Sequence, residues 1–380
     1  MSAPAGAAQS AVDWANPAAV RHAGDRLARW LETRLPDATD VTVERLVPPT
    51  GSGGFSNLAL LVDATWTGPT GRTGHELFAR VELPGPKLVH TFDLAAEARL
   101  LDALHRARTV PVPAVLGYES DPAVLGTPFA IMQRAHGRVM PDNPPFTAQG
   151  WVLDLDPTAQ ARHHDAGLQV LADIATIDWQ TAGLDFLDRR AGGSGIDERM
   201  QFLTTLLTHT AAGRDFPLHN QALTWLHDNP PPDNTAAVLS WGDARIGNLM
   251  YAHDKAQVTS VLDWEHATIG NPQLDLGWWL YSNRIYSHGF GLPLPPGFPD
   301  RTTTINRYHQ LTGHHIDDID WYEAWAGTCI AIIMIGIADR LVAAGTVPTD
   351  AGMQHHNPVT IALTGLLDLP PPPGTSTSWA

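Results

Sequence analysis

The sequence predicts an α+β fold divided into two regions, and three observations carry that expectation. Strand-like stretches rich in β-branched and apolar residues cluster in the first third of the chain, at residues 41–47, 58–66, 77–82, 115–119 and 129–133. Helical periodicity dominates from Pro157 onward, and runs of strands followed by runs of helices signal segregated α+β layers. A length of 380 residues suffices for two domains, and 43% hydrophobic residues can fill their cores.

Taken in order, residues 18–35 place Leu27, Trp30, Leu31 and Leu35 on one side of a helix, which Pro36 ends. Residues 41–47 alternate as a strand. Residues 48–56 form a Gly/Ser loop before the strand at 58–66. Such a strand–loop–strand unit can cover phosphate, because glycine lets backbone N–H groups approach phosphate oxygens; it can equally be only a turn. The third strand, 77–82, carries Arg80, and the helix pattern over 92–107 carries Glu97. Strands at 115–119 and 129–133 follow, and the second runs into Arg134-Ala135-His136-Gly137-Arg138.

Residues 142–156 are Pro-rich and irregular. Residues 157–177 read as a helix, with Asp156 as cap, Pro157 at the first position, and Leu168, Leu171, Ala172 and Ala175 at helical spacing. Its His163-His164 pair is a poor chelate, since adjacent helical residues do not face one another. Like His314-His315 and His355-His356, it is expected on solvated surface. Residues 196–212 and 218–229 are further helices, 273–285 is a helix with Asp275 in its first turn, and 302–312 and 318–344 are the last large ones. Residues 287–299 form a Gly/Pro loop that could serve as a substrate lid. The Pro/Ser/Thr-rich tail 370–380 is expected to be disordered.

The chemistry concentrates in residues 239–275. There, 249–251 and 258–262 read as a hairpin around the polar turn 252–255. Asn248 precedes the first strand and Asp263 follows the second, so the hairpin brings an amide oxygen and a carboxylate together, roughly 5 Å apart at facing positions. That oxygen pair suits Mg²⁺, which usually takes one or two carboxylates plus substrate phosphates. Asp243, in a loop opened by Gly242, can point into the same space and accept a proton from a hydroxyl.

The spacing Asp243-x-x-x-x-Asn248 is that of the kinase catalytic loop, where Asp is the base, Asn holds a metal, and a later Asp holds metal between the phosphates. With Trp241-Gly242-Asp243-Ala244-Arg245 and Leu262-Asp263-Trp264-Glu265, the chain resembles the aminoglycoside phosphotransferase family, whose usual form is H-G-D-x-x-x-x-N followed by I-D-[FW]-[EG]. The W-G-D-A-R and D-W-E version, with a trailing G-x-x-x-x-D-L-G-W, most resembles mycobacterial-type members and the kinase-like domains associated with acyl-CoA dehydrogenases. Trp241 stands where the family usually has a scaffold His.

The resemblance implies a two-lobed protein-kinase-like fold. Residues 1–135 would form a nucleotide-binding lobe with an antiparallel sheet, and 136–369 a mainly helical catalytic and substrate lobe. It implies ATP, with GTP not excluded, and Mg²⁺ held by Asn248 and Asp263, with Asp243 as the base. Ser52, Gly53, Gly54 and Ser56 would cover the phosphates, and Arg80 would pair with Glu97 over the nucleotide, an Arg in place of the kinase Lys. The backbone of Met132, Gln133, Arg134 and Ala135 would read the adenine. Arg245 would either reach the transferring phosphoryl group or pair with Asp263 or Glu265. Asp275 matches the position that braces the catalytic loop, though a plain helix-start Asp fits it as well.

Acids outnumber bases, 40 to 24, which argues against non-specific nucleic-acid or anionic-membrane binding. One cysteine, Cys329, precludes an intramolecular disulfide and fits a reducing cytoplasm. No signal-peptide pattern opens the sequence, and the longest apolar stretch, 329–337, is too short to span a bilayer. The expected activity is phosphoryl transfer from nucleotide to a hydroxyl of a small molecule. A nucleotide-binding pseudokinase or binding module without turnover is the alternative. A phosphohydrolase with an Asp nucleophile is the other, but it lacks its Asp-x-Asp motif here. Aminoglycosides need several carboxylates, and residues 366–380 offer Asp368 alone. Trp278, Trp279, Trp321 and Trp325 instead favour a bulkier, partly apolar hydroxylated acceptor, and the acyl-CoA-dehydrogenase-associated relatives suggest hydroxyacyl groups. Oligomeric state is left open.

Overall fold

The computed structural model describes residues 12–49, 57–83, 87–89, 93–233, 235–372, 374 and 377. The predicted phosphate-covering residues Ser52, Gly53, Gly54 and Ser56 lie outside these. The chain divides into two compact units, one of residues 1–87, 93–105 and 113–135, the other of 88–92, 106–112 and 136–380.

In the first unit, helix α1 (Pro17–Arg34) starts where the Asn16 side chain accepts from the N–H groups of Ala18 and Ala19, with Pro17 at the first position. Strands β1 (Thr39–Val47), β2 (Asn57–Gly68), β3 (Gly71–Glu82), β4 (Val115–Glu119) and β5 (Phe129–Gln133) form one antiparallel sheet in the order β1-β2-β3-β5-β4. Leu27, Trp30 and Leu31 of α1 share a core with Leu60, Val62, Leu77, Ala79, Val81, Phe129 and Ile131. Burying one face of the sheet fixes its register, since a one-residue slip would turn that face outward. β3 begins at Gly71, earlier than the hydrophobic pattern indicated. Its first half, GRTGHE, is polar and mostly exposed, so it carries no alternation; its pairing with β2 defines it. Helix α2 spans Leu94–Ala107.

The second unit holds α3 (Pro157–Ala175), α4 (Gly195–Ala211), α5 (Pro217–Asp228), α6 (Gln273–Arg284), α7 (Arg301–Thr312), α8 (Ile319–Ala343) and α9 (Pro358–Leu367). Two small antiparallel pairs carry the functional loops: β6 (Val238–Ser240) with β9 (Thr268–Gly270), and β7 (Leu249–Tyr251) with β8 (Val258–Val261). α8 extends the apolar run of 329–337 to 25 residues, long and apolar enough by composition to cross a membrane, but half of its apolar window is buried inside the chain. It packs on α6 and α9, and its buried side chains include Trp321, Tyr322 and Trp325.

Several expectations are corrected here. His163 and His164 are not on solvated surface; they are 4% and 1% exposed. His163 Nδ1 lies 2.8 Å from the Ala159 carbonyl, and Trp279 donates to His164 Nε2 at 3.1 Å. Burial pushes His164 down to about 4, so it is neutral. The adjacent histidines differ because α3 is buried on more than one side, which the pattern of polar residues concealed. α6 ends at Arg284 and passes into a π turn, Ile285–Gly289. Past that turn the Gly/Pro loop is pinned at two points: Gly297 N–H donates to Gln160 Oε1 at 2.8 Å, and Phe298 is buried. α9 was not predicted, because its run VTIALTGLL is apolar on nearly every face. Its start is a capping box at Asn357 and Thr360 followed by Pro358, and Asn-Pro was the available signal. In the tail, Thr377 is held by the carbonyls of His356 and Ala351.

Candidate active site

The site grows from the turn after β6. Asp275, in the first turn of α6, is 4% exposed and points its carboxylate at that turn. It accepts from Ser240 Oγ at 2.7 Å, Trp241 N–H at 2.7 Å and Gly242 N–H at 2.9 Å. Burial pushes its pKa up against the pull of these three donors, and the nearby Asp243 charge adds to the rise. Asp275 is thus a brace for the loop, as the resemblance implied. Gly242 sits at φ +89, and a Cβ there would lie 2.2 Å from the His266 carbonyl oxygen, so no other residue fits between the loop and the chain after β8.

This turn aims Asp243. Its Oδ1 accepts from the Trp278 indole at 2.8 Å, and its Oδ2 from the Asn248 amide at 2.6 Å. Arg245 Nε reaches the same carboxylate at 3.3 Å. The Asp243 side chain keeps 15% exposure, so a held carboxylate still faces solvent. Such a group can orient a hydroxyl and take its proton.

Asn248 and Asp263 meet at the open end of the β7–β8 hairpin. Leu249 pairs with Val261, and Leu262 N–H donates to the Asn248 carbonyl at 2.9 Å, so Asp263 follows directly on Asn248's partner. Asp263 itself is at φ +58, an uncommon conformation for a non-glycine residue. The Trp241 indole N–H helps to hold it, donating to the carbonyls of Leu262 at 2.8 Å and Asp263 at 3.1 Å. Trp241 is fully buried and acts as scaffold, the role assigned to the His it replaces. The residue types suit a hard divalent cation: the Asn248 nitrogen is committed to Asp243, which leaves the amide to offer oxygen, and Asp263, next to Asn248's backbone partner Leu262, brings a carboxylate. Among the described residues no group of three or more His, Cys, Asp or Glu could hold a metal alone. A site completed by substrate phosphates needs no such group.

In the first unit, Arg80 lies on the central strand β3, paired with Ala59 and Ala130, and not on an edge. Its Nη1 meets Glu97 Oε1 of α2 at 2.7 Å, with the two side chains 15% and 3% exposed. The segment expected to read the adenine has its amides engaged within the chain. Gln133 N–H donates to the Ala114 carbonyl and Arg134 N–H to that of Glu76, so neither is available to a base. The Arg134 side chain clamps Asp63 and Glu76. Met132 is inside the sheet, and Ala135 follows the strand's last committed amide.

Arg245 departs from the expected pairing. Its partners are neither Asp263 nor Glu265: Nη1 meets Asp142 Oδ2 at 2.6 Å, and Nε meets Asp243. The Tyr286 hydroxyl completes the group by donating to Asp142 Oδ1. Burial alone would lower the Arg245 pKa, but the Asp142 and Asp243 charges hold it well above its ordinary value. Asp142, Trp278 and Tyr286 are site residues that the sequence did not single out for these roles. Asp142 lies in an irregular segment, and the π turn that presents Tyr286 has no sequence signature. A larger open groove of about 870 Å³, lined by residues of α3 and α7 such as Arg162 and Arg307, contains none of these groups.

A five-stranded antiparallel sheet bearing an Arg–Glu pair, with a braced Asp loop ahead of an Asn–Asp hairpin, defines a kinase-like protein. The profile of the phosphotransferase enzyme family (APH) matches residues 51–304, and the chain belongs to that family. It is 32% identical over 213 residues to acyl-CoA dehydrogenase family member 11 of Gallus gallus, a match covering 56% of this chain and 26% of that protein. The chain therefore spans about a quarter of that relative's length. Among solved structures, a candidate aminoglycoside phosphotransferase of Ralstonia eutropha superposes with a TM-score of 0.66 at 26% identity, over 90% of this chain and 97% of the other. APH(2")-IIIa, solved with GDP and kanamycin, shares the fold at a TM-score of 0.55 and 14% identity, again over 90% and 97%.

Proposed function

We propose that the chain transfers the γ-phosphoryl group of ATP to a hydroxyl of a small molecule. The observation that carries this reading is the Asp243 carboxylate, fixed by the Trp278 indole and the Asn248 amide yet still partly accessible. In the step, the acceptor hydroxyl gives its proton to Asp243. Its oxygen forms a bond to the γ-phosphorus as the bond to the β-phosphate oxygen breaks, and a nucleoside diphosphate leaves. Asn248 and Asp263 would hold Mg²⁺, which when bound neutralises phosphate charge. Arg80, kept in place by Glu97, would add a fixed positive charge to the nucleotide phosphates. Arg245 fits a positioning role better than a direct one, because Asp142 and Asp243 already occupy its fork. Little covalent work falls to the protein in such transfers; positioning and charge neutralisation dominate.

Family membership supports the reaction class. The GDP and kanamycin bound by APH(2")-IIIa support a nucleotide donor and a hydroxylated acceptor. The test is nucleoside diphosphate release across a panel of hydroxylated acceptors, with the product identified by ³¹P NMR. Asp243→Asn is expected to bind nucleotide normally and to lose roughly 10²–10⁴-fold in turnover. Nucleotide binding with no phosphorylated product from any acceptor would favour a binding module instead.

A further inference from the structure

The turn that carries Asp243 is supported by a further group of side chains, all within the second unit. Arg245 stands between two carboxylates. Its Nη1 donates to Asp142 Oδ2 at 2.6 Å, while its Nε lies 3.3 Å from both oxygens of Asp243. A charge-assisted bond of this kind normally measures about 2.7–2.9 Å, so the Asp142 contact is closed and the Asp243 contact is held open. The short bond fixes the guanidinium, which then touches the base without closing on it. Gly247 packs against this contact: a Cβ there would lie 2.7 Å from both Arg245 Nη1 and Asp142 Oδ1, so any side chain would push into it.

Asp142 keeps 38% exposure on an irregular segment, so burial does not fix it. Its other oxygen is held by the Tyr286 hydroxyl. Tyr286 is buried, and burial together with the Asp142 charge holds its pKa well above the ordinary phenol value, so it stays a donor. The π turn Ile285–Gly289 presents it. Phe146 packs on its ring at 4.9 Å between centroids, and Thr147 Oγ1 donates to its carbonyl at 2.8 Å. Gly289 lies so close to α9 that a Cβ would fall 2.3 Å from the Pro358 carbonyl oxygen. The hydroxyl is thus placed by packing that takes no part in the chemistry.

We propose that Tyr286 is a positioning residue for the base: through Asp142 it anchors Arg245, and Arg245 so anchored orients the Asp243 carboxylate without capturing it. This rests on the phosphotransferase reading and adds Tyr286 and Asp142 to its working parts. The physical reason is competition. An arginine fork released from Asp142 can close on Asp243 with two parallel bonds, the strongest geometry for such a pair. The oxygen taken in that way is lost to the acceptor hydroxyl. A neutral donor on Asp142 keeps the anchor in place, and it does so without adding a charge beside the base.

The test is Tyr286→Phe, which keeps the ring and removes only the hydroxyl. Its first readout needs no substrate: the indole N–H resonance of Trp278, which donates to Asp243 Oδ1, assigned in ¹H–¹⁵N spectra by its loss in Trp278→Phe. We expect Tyr286→Phe to shift that resonance more than any other indole N–H. The second readout is phosphoryl transfer. There kcat should fall roughly tenfold, the scale of one hydrogen bond to a charged group, with KM for nucleotide unchanged. Asp142→Asn should show both effects more strongly, and adding Tyr286→Phe to it should cost little more, since the two act along one route. An unmoved Trp278 resonance, or losses in kcat that simply add, overturns the proposal. So does a kcat loss matched by a loss of nucleotide affinity, the mark of general loosening. Should Tyr286→Phe fail to fold, Asp142→Asn decides by the same two readouts. A shifted resonance in a chain that phosphorylates no acceptor upholds the network and sinks the phosphotransferase reading. Transfer by the wild type with an unmoved resonance in the variants does the reverse.

Discussion

Replacing Asp275 by Ala should loosen the loop that carries Asp243 without touching Asp243 itself. The variant strands the amides of Trp241 and Gly242 and the Ser240 hydroxyl, which now donate to one carboxylate. An unsatisfied buried donor costs about 1–3 kcal/mol. The hydroxyl can rotate to another acceptor, so the two amides set the loss. Against this stands the relief of burying a carboxylate whose pKa is pushed up by burial and by Asp243. The net expectation is a destabilisation of about 2–4 kcal/mol, or a fall of roughly 5–15 °C in Tm for a unit of this size. The pH dependence has a fixed sign. Because the folded pKa lies above the ordinary 3.8, the favourable share of this group is present at low pH and is lost as pH rises through the folded value. The stability gap between wild type and Asp275→Ala should therefore narrow as pH rises above 3.8. Thermal unfolding across that range is the assay, with turnover measured in parallel. A variant melting within about 2 °C of wild type, with unchanged turnover, would refute the brace.

Three further outcomes follow from the same geometry. Trp278→Phe keeps most of the ring but removes the donor to Asp243; turnover should fall about tenfold with nucleotide affinity intact, and equal losses in both would make Trp278 a packing residue only. Asp263→Ala should abolish the Mg²⁺-dependent part of nucleotide affinity, read by calorimetry with and without chelator; a wild-type response would remove Asp263 from the metal site. Arg80→Ala alone should be destabilising, because it breaks a largely buried ion pair with Glu97. In a double-mutant cycle with Glu97→Ala the losses should overlap, and simple additivity would show that the two do not act as a pair.

What could be read from the sequence follows the range of the interactions involved. The backbone proximity of Asn248 and Asp263 was legible because one short hairpin enforces it, and the Arg80–Glu97 pair because a strand and the next helix carry it. Asp142, Tyr286 and Trp278 reach the loop from 103, 41 and 35 residues away from their partners, and no local pattern records such contacts. The aromatic residues of the late helices illustrate the limit. Trp278, Trp279, Trp321 and Trp325 are all buried, yet of their Nε1 groups only that of Trp278 donates to Asp243; those of the others donate to His164, Leu226 and Arg199.

Four aspartates gather around this loop, and their surroundings, more than their spacing, separate their roles. Asp275 is closed off and fully engaged by three donors of the loop it braces, so it can neither exchange a proton with substrate nor take a metal. Asp142 is committed to Arg245 and Tyr286, which makes it a support for a support. Asp243 is also gripped by donors, but it stays partly accessible, so its orientation is fixed while part of its surface is left open. Asp263 stands at the hairpin's end in a backbone conformation that Trp241 holds through two carbonyls, which sets the carboxylate's position through the main chain. Groups of one chemical type are thus pushed apart by environment, as in other acid–base sites. On the proposed function, the same Asp→Asn change is expected to act differently at each: on folding at Asp275, on Arg245's position at Asp142, on the chemical step at Asp243, and on cation affinity at Asp263.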